Sequence, residues 1–264
     1  MDYKNKVVWI TGASSGIGRA LAHDFAKQKA RLIISSYDKE ELEVVANECK
    51  EYTEDITTLV FDLSKQDEVK KSAEDVLKKF DQVDVLVNNG GISQRSLVRE
   101  TKVELDRKVM EIDYFAGITL TKAVLPGMLK NGYGHIVVTS SISGKFGFHL
   151  RSAYAAAKHA IHGFYETLWI EERKNNIHVT IVCPGRVQTN ISVHALEKDG
   201  KPHGKMDQGQ AEGITPESCS RQIIAAMKKD KVEVLIGKKE LLMVHIKRLF
   251  PGIFYKIVTK IKPT

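Results

Sequence analysis

Val7-Val8-Trp9-Ile10-Thr11-Gly12-Ala13-Ser14-Ser15-Gly16-Ile17-Gly18 is the stretch that decides the fold of this chain. Four apolar residues give way to a glycine-rich turn, and helix-forming residues follow from Arg19. Glycines let a backbone turn tightly and approach a pyrophosphate, while a helix N-terminus offers N–H donors and partial positive charge. The spacing is G-x-x-x-G-x-G rather than G-x-G-x-x-G. A turn of this kind can also be purely structural. Its position between a strand and a helix is what favours a bound dinucleotide.

The same alternation continues along the chain. Short apolar runs at 31–35, 57–61, 83–87, 135–139, 177–182 and 232–236 read as six more strands. Amphipathic segments at 16–28, 40–51 and 66–80 separate the first four, and a long helix is expected over 103–130, kinked or ended at Pro126. Strands apolar on both faces and separated by helices predict a single-domain, Rossmann-type, doubly wound parallel sheet of about seven strands. The catalytic domain is expected over 1–237, with a mobile substrate-loop region at 190–215, and a tail follows over 238–264. No internal repeat or low-complexity stretch interrupts this pattern.

Length and composition suit that reading: 264 residues, 42% hydrophobic and 28% charged, are ordinary for one soluble α/β domain. Cys49, Cys183 and Cys219 are scattered and odd in number, with no CxxC, so neither a disulfide framework nor a metal site is expected. The polar start passes directly into the first apolar run, so no signal peptide is expected, and no apolar run is long enough to span a bilayer. These features favour a cytoplasmic protein. The net charge of +7 is lopsided: from Lys238 onward seven basic residues face one acid, Glu240, so +6 of it lies in the tail.

Chemistry enters with Tyr154 and Lys158, four residues apart in Ser152-Ala153-Tyr154-Ala155-Ala156-Ala157-Lys158. On a helix the two side chains share a face. A lysine ammonium beside a phenol favours the phenolate, which suits proton transfer during carbonyl reduction or alcohol oxidation. An aromatic packed beneath a lysine stem would give the same spacing.

Thr-Gly-x-x-x-Gly-x-Gly at 11–18, Asn88-Asn89-Gly90-Gly91, Ser141, Tyr154-x-x-x-Lys158 and Pro184-Gly185 follow one another in register. That series resembles the short-chain dehydrogenase/reductase family. The resemblance implies an NAD(P)-dependent oxidoreductase interconverting a carbonyl and a secondary alcohol. Carried over, Ser141 would hydrogen-bond the substrate oxygen, Tyr154 would be the acid/base, and Lys158 would favour its ionised form and hold the nicotinamide ribose. Gly12, Ser14, Ser15, Gly16, Ile17 and Gly18 would cradle the pyrophosphate. Asp62 and Leu63 would contact adenine, and Asn89, Gly90 and Gly91 would line the adenine-ribose side. Pro184, Gly185, Val187 and Thr189 would hold the carboxamide. Ser141 could instead be a strand-end turn residue, and Asp62 a helix cap.

Gly90 stands where the family usually has alanine, a small change expected to be tolerated, and two further departures carry more weight. Asp113 in Glu111-Ile112-Asp113-Tyr114 stands where the family has a catalytic asparagine; it could still accept a hydrogen bond from the water that asparagine holds, or pair with Lys158, and reduced or pH-shifted activity is expected. In Ser35-Ser36-Tyr37-Asp38 no acid occupies the Ser36 position that would bind a ribose 2′-OH, and no base occupies Tyr37 or Ser15. The missing acid favours NADP over NAD; Asp38 could reach the ribose or cap the next helix. Arg151-Ser152-Ala153-Tyr154, Lys158-His159-Ala160, Thr189-Asn190-Ile191-Ser192 and Lys205-Met206-Asp207 resemble one branch of the family in particular. That branch is associated with membranes and lipid-like ketones, which implies a hydrophobic substrate. The family also implies a homodimer or homotetramer built on the long helices. A cofactor-binding sensor or scaffold with little turnover is the alternative, favoured by Asp113 alone.

In the tail Ile246, Leu249, Phe250, Ile253, Phe254, Ile257, Val258 and Ile261 recur at three- and four-residue steps, with Lys247, Arg248, Lys256 and Lys260 between them. This basic amphipathic pattern suits peripheral contact with an anionic membrane, or packing across the substrate cleft or a partner subunit. Nucleic acid is not expected as a partner, because lysines interleaved with an apolar stripe suit lipid or protein better than a phosphate backbone.

Overall fold

Seven parallel strands form one sheet in the order β3-β2-β1-β4-β5-β6-β7. This computed structural model describes residues 2–261. Along the chain β1 (Val7–Thr11) is followed by α1 (Gly16–Lys27), β2 (Arg31–Ser36), α2 (Lys39–Cys49), β3 (Ile56–Val60), α3 (Gln66–Lys79) and β4 (Val85–Asn88). Then come α4 (Val103–Met110), α5 (Ala116–Lys130), β5 (Gly134–Thr139), α6 (Ser152–Glu172) and β6 (Ile177–Pro184). The chain continues through α7 (Gln208–Ala211), α8 (Pro216–Lys228), β7 (Glu233–Ile236), α9 (Leu242–Leu249) and α10 (Pro251–Val258).

Alternation along the strands builds the two cores. Val8 and Ile10 of β1 and Leu32 and Ile34 of β2 pack with Leu21, Phe25, Leu42, Ile223 and Met227 on the face covered by α1, α2 and α8. Their neighbours Trp9 and Ile33, with Leu86, Ile136 and Ile181, pack with Val69, Leu120, Val124, Ile161 and Leu168 from α3, α5 and α6. Both faces are therefore dry, which is why the strands read as unbroken apolar runs. Strand order reverses between β1, which pairs with β2 on one side, and β4 on the other. Such a switch point opens a crevice at the carboxyl ends of the strands.

The long helix departs from expectation at an informative place. Pro126 lies inside α5, which continues to Lys130, so the proline does not end it. The irregularity is instead one π-helical turn over Glu111–Phe115, between α4 and α5. The wider turn carries Ile112 and Asp113 inward, and both are buried. Below it, Asn88 Nδ2 at the end of β4 donates to Thr121 Oγ1 (3.0 Å) and to the Tyr165 hydroxyl (3.1 Å), which lie 3.0 Å from each other. This buried polar knot locks β4, α5 and α6 together beneath the crevice.

Within the 190–215 segment, Asp207 joins a buried charge cluster with the body of the domain. Asp207 Oδ2 accepts from Arg95 Nη2 (2.6 Å) and Arg151 Nη2 (3.1 Å), and Arg95 Nη1 also donates to Ser93 Oγ (2.9 Å). Burial, with Arg95 alongside, brings the Arg151 guanidinium down to about 10.

Tyr165→Phe removes one member of the buried knot and leaves Asn88 and Thr121 without it. A loss of about 1–3 kcal/mol is expected from chemical denaturation; an unchanged midpoint would show that the knot carries no stability.

Candidate active site

The glycine turn after β1 works as its spacing demands. Gly12 and Gly16 take left-handed backbone, with φ of +62° and +53°. A Cβ on Gly12 would lie 2.7 Å from Gly90 Cα, and one on Gly18 would lie 2.1 Å from the Gly12 carbonyl oxygen. At the head of α1, Ser15 makes no side-chain cap, so the first N–H groups of the helix are left for an outside acceptor. Across this helix end lies the loop after β6: a Cβ on Gly16 would sit 2.9 Å from Thr189 Cγ2. The turn, Gly90 and Thr189 thus converge on one spot.

Thr11, to which the sequence reading gave no separate role, fastens β1 to β4 there. Its Oγ1 accepts from the backbone N–H of Asn89 (3.0 Å) and of Gly90 (3.1 Å). Asn89 Nδ2 donates in return to the Thr11 carbonyl (3.2 Å), and Asn89 Oδ1 accepts from Thr139 Oγ1 (3.2 Å). One asparagine side chain therefore holds the ends of β1 and β5 at a common level. At Gly90 a methyl group would meet Leu63 Cδ1 at 2.5 Å, so Leu63 fills the volume an alanine would need.

The polar residues after β2 and β3 each find a partner within the chain. Ser14 Oγ and Ser36 Oγ are 2.8 Å apart, a hydroxyl pair at the end of β2. Asp38 turns away to cap α2, its Oδ1 accepting from the Glu41 N–H at 3.1 Å. Asp62 does not cap α3: its Oδ1 accepts from Ser64 N–H (2.8 Å), while its own N–H donates to Glu68 Oε2 (3.0 Å). Lys65 holds the cap position of α3.

Tyr154 and Lys158 lie in the first two turns of α6, and both are buried. The Lys158 ammonium is 5.4 Å from the centre of the Tyr154 ring. It donates to the Thr139 carbonyl at 2.9 Å and forms an ion pair with Asp113 Oδ2 at 3.1 Å. Asp113 Oδ1 accepts from the Ile92 N–H at 2.8 Å, and a Cβ on Gly91 would lie only 3.2 Å from that oxygen. Burial pushes the Asp113 carboxyl up, and Lys158 and the Ile92 amide offset only part of that. Burial alone would lower Lys158, but the Asp113 carboxylate, aided by Tyr154, holds its ammonium above the usual lysine range.

Ser140, Ser141 and Ser143 are separated by their partners. Ser140 Oγ donates to the Lys158 carbonyl (3.2 Å) and lies 3.1 Å from His162 Nε2, which commits it to packing α6 on β5. Ser143 contributes its backbone N–H to Ser141 Oγ (3.1 Å). The Ser141 hydroxyl donates only a long contact of 3.5 Å to the Pro184 carbonyl, which leaves it the least committed of the three as a donor. In the loop after β6, Val187 is buried and its carbonyl accepts from Gln210 Nε2, which also donates to Thr189 Oγ1 (3.3 Å). Glu240, beyond the expected domain, reaches back to this loop, and its carboxylate accepts from Arg186 N–H at 2.9 Å. No local pattern around Glu240 signals that contact, since its partner lies 54 residues earlier.

A family model described as short chain dehydrogenase matches residues 6–200. The chain belongs to the short-chain dehydrogenase/reductase family. It is 39% identical over 262 residues to dehydrogenase/reductase SDR family member 7B of Bos taurus, covering 97% of this chain and 81% of that protein. Among solved structures, a short-chain dehydrogenase from Streptomyces avermitilis superposes with a TM-score of 0.81 at 27% identity, covering 96% of each chain. An alcohol dehydrogenase from Thermococcus sibiricus, complexed with 5-hydroxy-NADP, gives 0.75 at 26% identity over 89% of this chain and 97% of its own. The chain is thus a short-chain dehydrogenase/reductase enzyme of NAD(P)-binding fold, similar over nearly its whole length to the member 7B branch.

Asp113→Asn removes the negative charge that holds the Lys158 ammonium. Every nearby proton is then lost more readily, so the alkaline limb of the pH–rate profile should move to lower pH by about one unit. A superimposable profile for the variant would show that the ion pair does not tune the site.

Proposed function

We propose that this enzyme interconverts a ketone and a secondary alcohol on a hydrophobic substrate, with Tyr154 as acid/base and NADP as the preferred cofactor. The observation that carries the reading is the buried Lys158 ammonium, set beneath the Tyr154 ring and fixed by Thr139 and Asp113. The residues present fit a dinucleotide. Close packing at Gly12, Gly18 and Gly90 leaves no room for a Cβ, which keeps the turn open to a pyrophosphate on its outer side, and Ser15 makes no side-chain cap at the head of α1, beside Ser14 and Ile17. Asn89, Gly91, Asp62 and Leu63 would hold the adenine-ribose part of a bound dinucleotide, and Pro184, Gly185, Val187 and Thr189 its nicotinamide part.

A bound nicotinamide supplies or accepts the hydride. The chain does the rest. In the reducing direction the Ser141 hydroxyl donates a hydrogen bond to the substrate oxygen, and Tyr154 passes its phenolic proton to that oxygen as charge builds there. The phenolate left behind faces the Lys158 ammonium, whose charge Asp113 maintains. In the oxidising direction Tyr154 takes the hydroxyl proton instead. Phe148 and Leu150, half-buried between Ser141 and Tyr154, support an apolar substrate.

The preference for NADP rests on Ser14 and Ser36. They offer hydroxyl groups where an acid would repel a 2′-phosphate, and Asp38 is committed to its cap.

Tyr154→Phe should lower NADPH oxidation across a panel of hydrophobic ketones by about a hundredfold or more, with cofactor affinity changed less than about tenfold. Full turnover in that variant would refute the acid/base role. Titration of the wild type should give a lower Kd for NADPH than for NADH; the reverse order would refute the cofactor preference.

A further inference from the structure

The tail beyond β7 presents a face that the fold leaves uncovered. Glu240 fixes its start, accepting from the Arg186 and Lys238 N–H groups at 2.9 and 3.1 Å. Phe254 fixes its end: it is fully buried, with its ring 5.1 Å from that of Phe146. The eight apolar positions of the stripe, already interrupted in the sequence by Pro251-Gly252, are therefore divided. With Phe254 turned inward, Leu249, Phe250 and Ile253 at the α9–α10 corner are left 66%, 57% and 53% exposed. Such a cluster is costly to leave in water.

Arg248 of α9, Lys256 of α10 and Lys260 in the turn just after it are exposed, and none has a carboxylate partner among the described residues. Over residues 238–261 six basic side chains face one acid, and that acid is engaged by backbone amides. We infer that the α9–α10 corner is a docking surface for an anionic phospholipid bilayer, with Leu249, Phe250 and Ile253 entering the headgroup boundary and Arg248, Lys256 and Lys260 meeting lipid phosphates. Charge decides between lipid and a second copy of the chain. A two-fold interface would set this basic corner against itself, whereas an anionic surface neutralises it. No helix among the described residues is long and apolar enough to cross a membrane, so contact at this corner is peripheral.

The corner is tied at Phe146 and Arg186 to the two loops that flank Ser141 and Thr189. A docked molecule would therefore hold its substrate cleft beside the lipid, a consequence that rests on the function proposed above.

Flotation of the full-length protein with vesicles tests the surface without using activity. Wild type should float with phosphatidylcholine vesicles containing about a third phosphatidylserine, not with pure phosphatidylcholine, and should be released at about 0.5 M salt. Leu249→Asp/Phe250→Asp/Ile253→Asp should lower the bound fraction at least about tenfold. The charge-only variant Arg248→Glu/Lys256→Glu/Lys260→Glu should do the same, with NADPH binding and unfolding midpoint unchanged. This second variant touches no buried group, so it stands as the test if the first fails to fold. Wild type that stays unbound, or variants that float as well as wild type, would overturn the inference. So would a change in oligomeric state without vesicle binding, which would make the corner a subunit interface.

Discussion

One buried ion pair, Asp113 with Lys158, sets the arrangement of the site. Both groups are almost wholly removed from solvent. An isolated charge in either position would be strongly destabilising, so each requires the other. The pair draws together three elements distant in sequence: the π turn that carries Asp113, the segment at Ile92 and the second turn of α6. Thr139 at the end of β5 completes the set by accepting from Lys158. Tyr154 is one helical turn before Lys158, so fixing the lysine also fixes the phenol's position.

The cofactor side of the crevice depends on a different kind of constraint, namely close backbone approach. Thr11, Asn89 and Thr139 hold the ends of β1, β4 and β5 by a few hydrogen bonds, and glycines at 12, 18 and 90 permit that spacing. The two halves share Thr139, whose hydroxyl serves Asn89 and whose carbonyl serves Lys158. Movement of one half is therefore felt in the other.

Much of this was legible in the sequence because it is local. The seven strands were visible as apolar runs, the tight turn after β1 as a glycine spacing, and the Tyr154–Lys158 face as a helical repeat. Of the two partners open to Asp113 in the sequence, a water or Lys158, the structure has the carboxylate on Lys158. What escaped was non-local or conformational. Pro126 looked like the break in the long helix, whereas the irregularity is a π turn that no residue type announces. The charge cluster at Asp207 was not visible because its partner Arg95 lies 112 residues away. The tail showed an interrupted amphipathic stripe, and only its contact with Phe146 shows that Phe254 faces inward while its neighbours face out.

The central claim is that Tyr154 and Lys158 form a working acid/base centre for hydride transfer, not a vestige in a cofactor-binding protein. The most direct measurement is label transfer from NADPH carrying deuterium at both C4 positions of the nicotinamide. Incubated with the enzyme and a hydrophobic ketone, it should yield an alcohol with one deuterium on the carbinol carbon. Tight binding of the labelled cofactor with no deuterium reaching any ketone of the panel would contradict the account.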